Sequence, residues 1–197
     1  PLLAGAWLLA EYFTGRRRLL LPSMALSFFV VWAASISAAG LATQFFSDSQ
    51  MVASADGEFN PFQALTGMGY AGFAAATLAS AALFWRFRLP FSLFLLAGSI
   101  AGLFYTAVVQ AAGIQGVTLM LGGAVTLAVG VGTLVAAILF DMKDPTRSTR
   151  NSDHAFWLHM AAAPQIIFGV RALVLGAGFD EASTAFATVM LIVLVLF

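Results

Sequence analysis

The 197 residues contain two histidines, His154 and His159, and both fall in one apolar stretch, with Asp153 just ahead of them and Gln165 beyond. An imidazole near a carboxylate can move a proton or bind a metal. On a helix, at about 100° per residue, the two rings stand about 140° apart, so they do not share a face as a histidine pair four residues apart would. A zinc site from these two alone is not expected. A bis-histidine haem would need an imidazole from an opposing helix, and the sequence has no other histidine to give. The absence of cysteine removes disulfides, thiolate metal sites and thiol nucleophiles. No catalytic, cofactor-binding or metal-ligating residue, and no cofactor, is therefore assigned.

Asp153, His154, His159 and Gln165 remain as a candidate polar site. His159 lies about 9 Å deeper than Asp153 by helical rise. Facing lipid, its ring would forfeit its hydrogen bonds at a cost of roughly a few kcal/mol. It is thus expected to point into a helix bundle, toward a Ser, Thr or backbone carbonyl. Asn151, Ser152 or Asp153 can cap the helix that carries it, and Asp153 is favoured because a carboxylate suits the positive end of the helix dipole. Pro164 removes the amide donor to the Met160 carbonyl and predicts a bend beside Gln165.

The elements that must hold these groups follow from composition. Hydrophobic residues make up 61% of the chain and charged residues 9%, with a mean hydropathy of +0.94. Globular domains carry about 25% charged residues, so a soluble enzyme is excluded and an integral membrane protein is expected. Nine basic residues balance nine acidic ones, which leaves no overall basic field to attract nucleic acid.

Apolar runs define seven segments: Leu2 to Phe13, Leu20 to Phe46, Gln63 to Trp85, Leu89 to Gln110, Val117 to Phe140, Ala155 to Leu175 and Ser183 to Phe197. Five reach the ~20 residues that a spanning helix needs. None alternates apolar with polar residues as barrel strands do. The expected fold is all-α, a polytopic transmembrane helix bundle in a single domain over residues 1–197. Its first and last segments read as truncated, because residue one is Pro1 and the chain stops inside an apolar run.

The breaks at Arg16 to Arg18, Arg86 to Arg88 and Lys143 to Arg150 hold eight of the nine basic residues. The intervening breaks carry only acids, such as Asp48, Asp56, Glu58, Asp180 and Glu181, or no charge at all. The positive-inside rule puts the basic breaks in the cytoplasm. Ser47 to Phe62, acidic and containing Gly57 and Asn60-Pro61, reads as a solvated external loop. Glu11, five residues before Arg16, is expected to pair with the arginines of that break, Arg16 to Arg18, or to snorkel at the cytoplasmic end. Small residues recur at four-residue spacing in Gly98, Gly102 and Thr106 and again in Gly122, Thr126 and Gly130, stripes expected to face neighbouring helices.

Two patches also carry a resemblance. One is Glu11-Tyr12-Phe13 followed by Arg16-Arg17-Arg18. The other is Asp144-Pro145-Thr146-Arg147 leading to Ser152-Asp153-His154-Ala155-Phe156-Trp157-Leu158-His159 and Ala162-Ala163-Pro164. The chain resembles uncharacterised multi-pass inner-membrane proteins of proteobacteria. The resemblance implies a polytopic protein of the bacterial inner membrane with further helices, and it implies no activity. Similar proteins continue past the proline towards a His-Pro pair, where this chain has Phe168-Gly169.

Three function classes follow. A non-catalytic scaffold or accessory subunit of a membrane complex, with the lipid bilayer and other membrane subunits as partners, is favoured by apolar spans without midplane charge. A transporter or channel for a neutral or apolar solute would be lined by the proline-containing helix with His159 and Gln165. A membrane-embedded enzyme would use Asp153, His154 and His159, and is the least favoured.

Overall fold

The computed structural model describes the backbone of residues 2–16, 20–53, 61–113 and 116–178, and the side chains of 4–14, 21–45, 65–113 and 116–178. Among the described residues six α-helices follow one another: α1 (Leu2–Ala10), α2 (Leu20–Ala53), α3 (Pro61–Phe87), α4 (Phe91–Ala112), α5 (Leu119–Lys143) and α6 (Arg150–Gly176). A π-helical turn, Glu11–Arg16, continues α1. No strand occurs among the described residues. Helices are what apolar runs must form in lipid, because each satisfies its own backbone amides.

The five helices from α2 to α6 are long and apolar enough to cross a membrane. The first expected segment forms α1 and the π turn. The seventh, together with Arg17, Arg18, residues 54–60, Asp180 and Glu181, lies outside the described residues. Two expected boundaries are corrected. The loop expected from Ser47 is helical to Ala53, and the apolar run from Ala155, with its expected cap at Asn151, Ser152 or Asp153, belongs to a helix that starts at Arg150. In both places polar residues mark where the apolar stretch ends. Neither Ser47–Ala53 nor Arg150–His154 contains the Gly or Pro that would end a helix.

The chain divides within α4 into two compact units, Pro1–Ala107 and Val108–Phe197. In the first, Ala6 of α1, Val30 and Val31 of α2 and Ala76 and Leu83 of α3 form a buried core, with Trp7 and Phe87 packed on it. Gly72, Ala76 and Ser80 are all buried at four-residue spacing on α3. A methyl group at Gly72 would lie 3.1 Å from the Ser35 hydroxyl of α2. Such close approach is how helices hold together where lipid is as apolar as leucine. On α4, Gly102 lies under the Phe73 ring and Thr106 against Gly69.

In the second unit α5 and α6 form an antiparallel pair in one register. Gly176 packs on Met120, Leu173 on Gly123, Gly169 on Leu127 and Ile166 on Gly130. The glycines that let the backbones meet recur every seven residues, Gly123 and Gly130 on α5 and Gly169 and Gly176 on α6. Buried Ala137 extends the first series, and Ala162 and Ala155 the second. A seven-residue period is that of a left-handed helix pair.

Large apolar side chains such as Leu21, Trp32, Leu78, Trp85 and Phe168 are half or more exposed. Exposed apolar surface on this scale is what a lipid-facing helix presents.

Candidate functional site

Polar side chains of the second unit gather where α5 turns into α6. Asp144 and Pro145 open the turn, the Arg147 amide donates to the Asp144 carbonyl at 3.0 Å, and Arg147 takes a positive φ of 52°. An aspartate followed by proline favours such a turn. The Asp144 carboxylate then gathers the donors ahead of α6. The Thr149 amide and hydroxyl each donate to Oδ2 at 2.7 Å, and the Ser148 amide donates to Oδ1 at 3.1 Å.

Thr149 in turn caps α6, its hydroxyl accepting from the Asn151 amide at 3.2 Å. The expected cap, Asp153, instead lies exposed in the first turn. The correction has a local cause: Asp144 fixes Thr149 in extended backbone one residue before the helix, so the cap falls there and Asp153 is carried into the helix.

The Thr149 hydroxyl and the neighbouring amides hold the Asp144 carboxyl below its ordinary value of 3.8, against the upward pull of burial. A lowered folded value means that this carboxylate stabilises the turn fully above pH 3.8, and that its contribution is lost as the pH falls from there through the lowered value. Asp144→Asn is expected to abolish this acid-sensitive component of stability. Thr149→Ala, which removes the cap, should cost about 1 kcal/mol. Thermal melting from pH 3 to pH 7 in detergent measures both, and an unchanged acid limb in Asp144→Asn would contradict the assignment.

Of the two histidines, His154 is the buried one, 7% exposed, with its ring edge-on to Phe140 at 5.4 Å. The Lys143 ammonium lies over the same Phe140 ring, 5.5 Å from its centroid. His159 is partly exposed, at 40%, and its Nε2 lies 2.8 Å from Oδ2 of Asp141 near the end of α5. The ring N–H donates to the carboxylate. A polar partner on a neighbouring helix is expected for His159, and the structure provides the Asp141 carboxylate of α5 rather than a hydroxyl or carbonyl. The two histidines therefore occupy different surroundings, as their five-residue spacing requires.

Gln165 lies six residues beyond His159 and does not join it. Its Nε2 donates to the Ala161 carbonyl at 2.9 Å, its Cβ packs at Gly130, and its buried Oε1 has no hydrogen-bond partner among the described residues. Helix α6 continues through Pro164. The small-residue stripes are placed individually. Gly102, Thr106 and Gly130 lie against neighbouring helices, whereas methyl groups at Gly98 and Gly122 would meet nothing within 4 Å among the described residues. Thr126 donates to the Gly122 carbonyl of its own helix.

A second ionic contact lies in the first unit. Arg86, near the end of α3, meets Glu11 with Nε to Oε1 and Nη2 to Oε2 both at 3.0 Å. This fork-to-carboxylate geometry brings the ends of α1 and α3 to one side of that unit. Among the described residues no group of three His, Asp or Glu is placed to hold a metal ion. An Asp–His pair can hold or relay a proton, and Asp141 and His159 are the residues that could do so here. No protein-family model, curated protein or solved structure matches the chain.

Proposed function

We propose that the chain is a non-catalytic multi-pass component of the bacterial inner membrane, a scaffold or accessory subunit that works through its helix surfaces, with the basic breaks in the cytoplasm. The observation that carries this reading is where the ionisable groups fall. The interiors of α2, α3, α4 and α5 contain no Asp, Glu, Lys, Arg or His, and of the ionisable groups elsewhere Glu11 pairs with Arg86 and Asp141 with His159 of α6. Ion-coupled carriers and proton pumps place such groups at mid-membrane, where the transported charge is compensated.

The hydroxyls in the spans also turn inward on their own helices. Ser27, Ser80, Thr106 and Thr133 each donate to the carbonyl four residues earlier. A hydroxyl used in this way has no donor left to offer a solute. The resemblance to proteobacterial inner-membrane proteins supports the location.

A second reading, a transporter for a neutral or apolar solute, is favoured by the buried Oε1 of Gln165 beside Pro164. Against it, the face that α6 turns to α5 around Gln165 is closed by the backbone approach at Gly130.

Native electrophoresis after mild detergent extraction separates the two. The first reading expects a discrete complex containing the chain and another membrane subunit in fixed ratio, unchanged by His159→Gln and Asp141→Asn. Each of these substitutions should cost about 1 kcal/mol or less, because the pair is more than a third exposed. A lone monomer that moves small neutral solutes across reconstituted vesicles, and loses that flux in Gln165→Leu, would overturn it.

A further inference from the structure

We propose that the first unit holds one ordered phospholipid with a primary-ammonium, phosphate-bearing zwitterionic headgroup, its acyl chain in the groove between α1, α2 and α3 and its headgroup on the Glu11–Arg86 pair. The groove has a volume of about 740 Å³ and is almost wholly apolar, within the roughly 300–1,000 Å³ typical of ligand pockets. Val30 and Ala34 of α2 form its buried floor. Trp7 and Leu8 of α1 and Leu78 and Ala79 of α3 line its sides. Leu8 and Leu78 stand 70% and 71% exposed as its rims.

The charges lie in line with this groove. Its α3 side runs from Ala75 to Ala82, about 10 Å by helical rise, and Arg86 is one turn further on the same face. Its α1 side runs from Ala4 to Leu8, and Glu11 is the next residue of that face. The groove thus leads to an ion pair that is still accessible, with the Arg86 side chain 56% and the Glu11 side chain 33% exposed.

A single anion or cation would be attracted by one partner and repelled by the other. A zwitterion complements both, with its phosphate on the Arg86 guanidinium, where Nη1 takes no part in either contact with Glu11, and its ammonium on the Glu11 carboxylate. A primary ammonium donates hydrogen bonds to that carboxylate, whereas a trimethylated one cannot.

Native mass spectrometry of the delipidated full chain, with phospholipids of one acyl composition and ethanolamine, choline or glycerol headgroups, tests this. One ethanolamine lipid should be retained, at least tenfold over the other two. Glu11→Gln should erase the preference over choline while lipid still binds, and Arg86→Gln should weaken ethanolamine and choline lipids alike. Ala79→Phe, which fills the groove, should remove all three. If that variant does not fold, Ala75→Leu at the far end of the groove gives the same readout. Equal retention of the three lipids by the unsubstituted chain would overturn the proposal. So would binding unaffected by groove filling, or a dimer without lipid, which would put a second copy in the groove.

Discussion

Gly169→Leu is expected to destabilise the α5–α6 pair by about 2 kcal/mol. A methyl group at Gly169 would lie 2.6 Å from the backbone nitrogen of Leu127 and 2.8 Å from its Cα. These are backbone atoms of a facing helix, and they cannot swing aside. Overpacking of a tight contact costs about 1–3 kcal/mol or more, while removing a mid-helix glycine returns up to about 1 kcal/mol, so the steric cost wins.

Two comparisons isolate the cause. Gly132, on an exposed part of α5, has nothing within 4 Å of an added methyl among the described residues, and Gly132→Ala should leave stability unchanged or raise it by about 0.5–1 kcal/mol. Gly102→Leu should cost less than Gly169→Leu, because the atoms it meets belong to the Phe73 ring, which is 37% exposed and free to move. Equal melting temperatures for Gly169→Leu and Gly132→Ala in detergent would contradict the register.

Leu83→Ala should loosen the first unit by about 2 kcal/mol. Leu83 is fully buried between α1, α2 and α3, and truncating a leucine in a soluble core costs 2–5 kcal/mol. The lower part of that range applies in a membrane, since separated helices expose leucine to lipid rather than to water and mainly the cavity term remains. Leu78→Ala on the same helix, with Leu78 71% exposed, should have little effect. A melting temperature lowered as far by Leu78→Ala as by Leu83→Ala would place the core wrongly.

Much of this architecture is legible in the sequence, for physical reasons. The apolar runs locate the spanning helices to within a few residues, since lipid leaves the backbone no alternative. The boundary fails where polarity is read as loop, at Ser47–Ala53, because no Gly or Pro breaks the helix there, and the cap of α6 falls at Thr149, a few residues before the expected Asn151, Ser152 or Asp153. Gly102 and Gly130 lie in real contacts, but the four-residue stripe through Gly122 misses the neighbouring Gly123. The seven-residue series on α5 and α6 gives the period that an antiparallel pair uses.

That series also contains the signal for the missed partner of His159. Aligning Gly123 and Gly130 against Gly169 and Gly176 runs the end of α5 alongside the start of α6, and so brings Asp141 near His159. Asp141 was hidden because it stands at the edge of a polar break and reads as part of the turn. Arg86 was hidden for a different reason: it lies 75 residues from Glu11 in sequence, and local spacing carries no information about such a contact.

That the chain crosses a bilayer with its basic breaks on one side is the central claim, and labelling of single introduced cysteines in intact cells tests it most directly. The sequence has no native cysteine to interfere. Ser148 lies in the exposed basic turn between α5 and α6, and Gly116 in the uncharged break between α4 and α5. With a membrane-impermeant maleimide, Gly116→Cys should label in intact cells, and Ser148→Cys only after the membrane is opened. Labelling of Ser148→Cys in intact cells, with Gly116→Cys protected, would contradict the orientation, and equal labelling of both would contradict the crossing of α5.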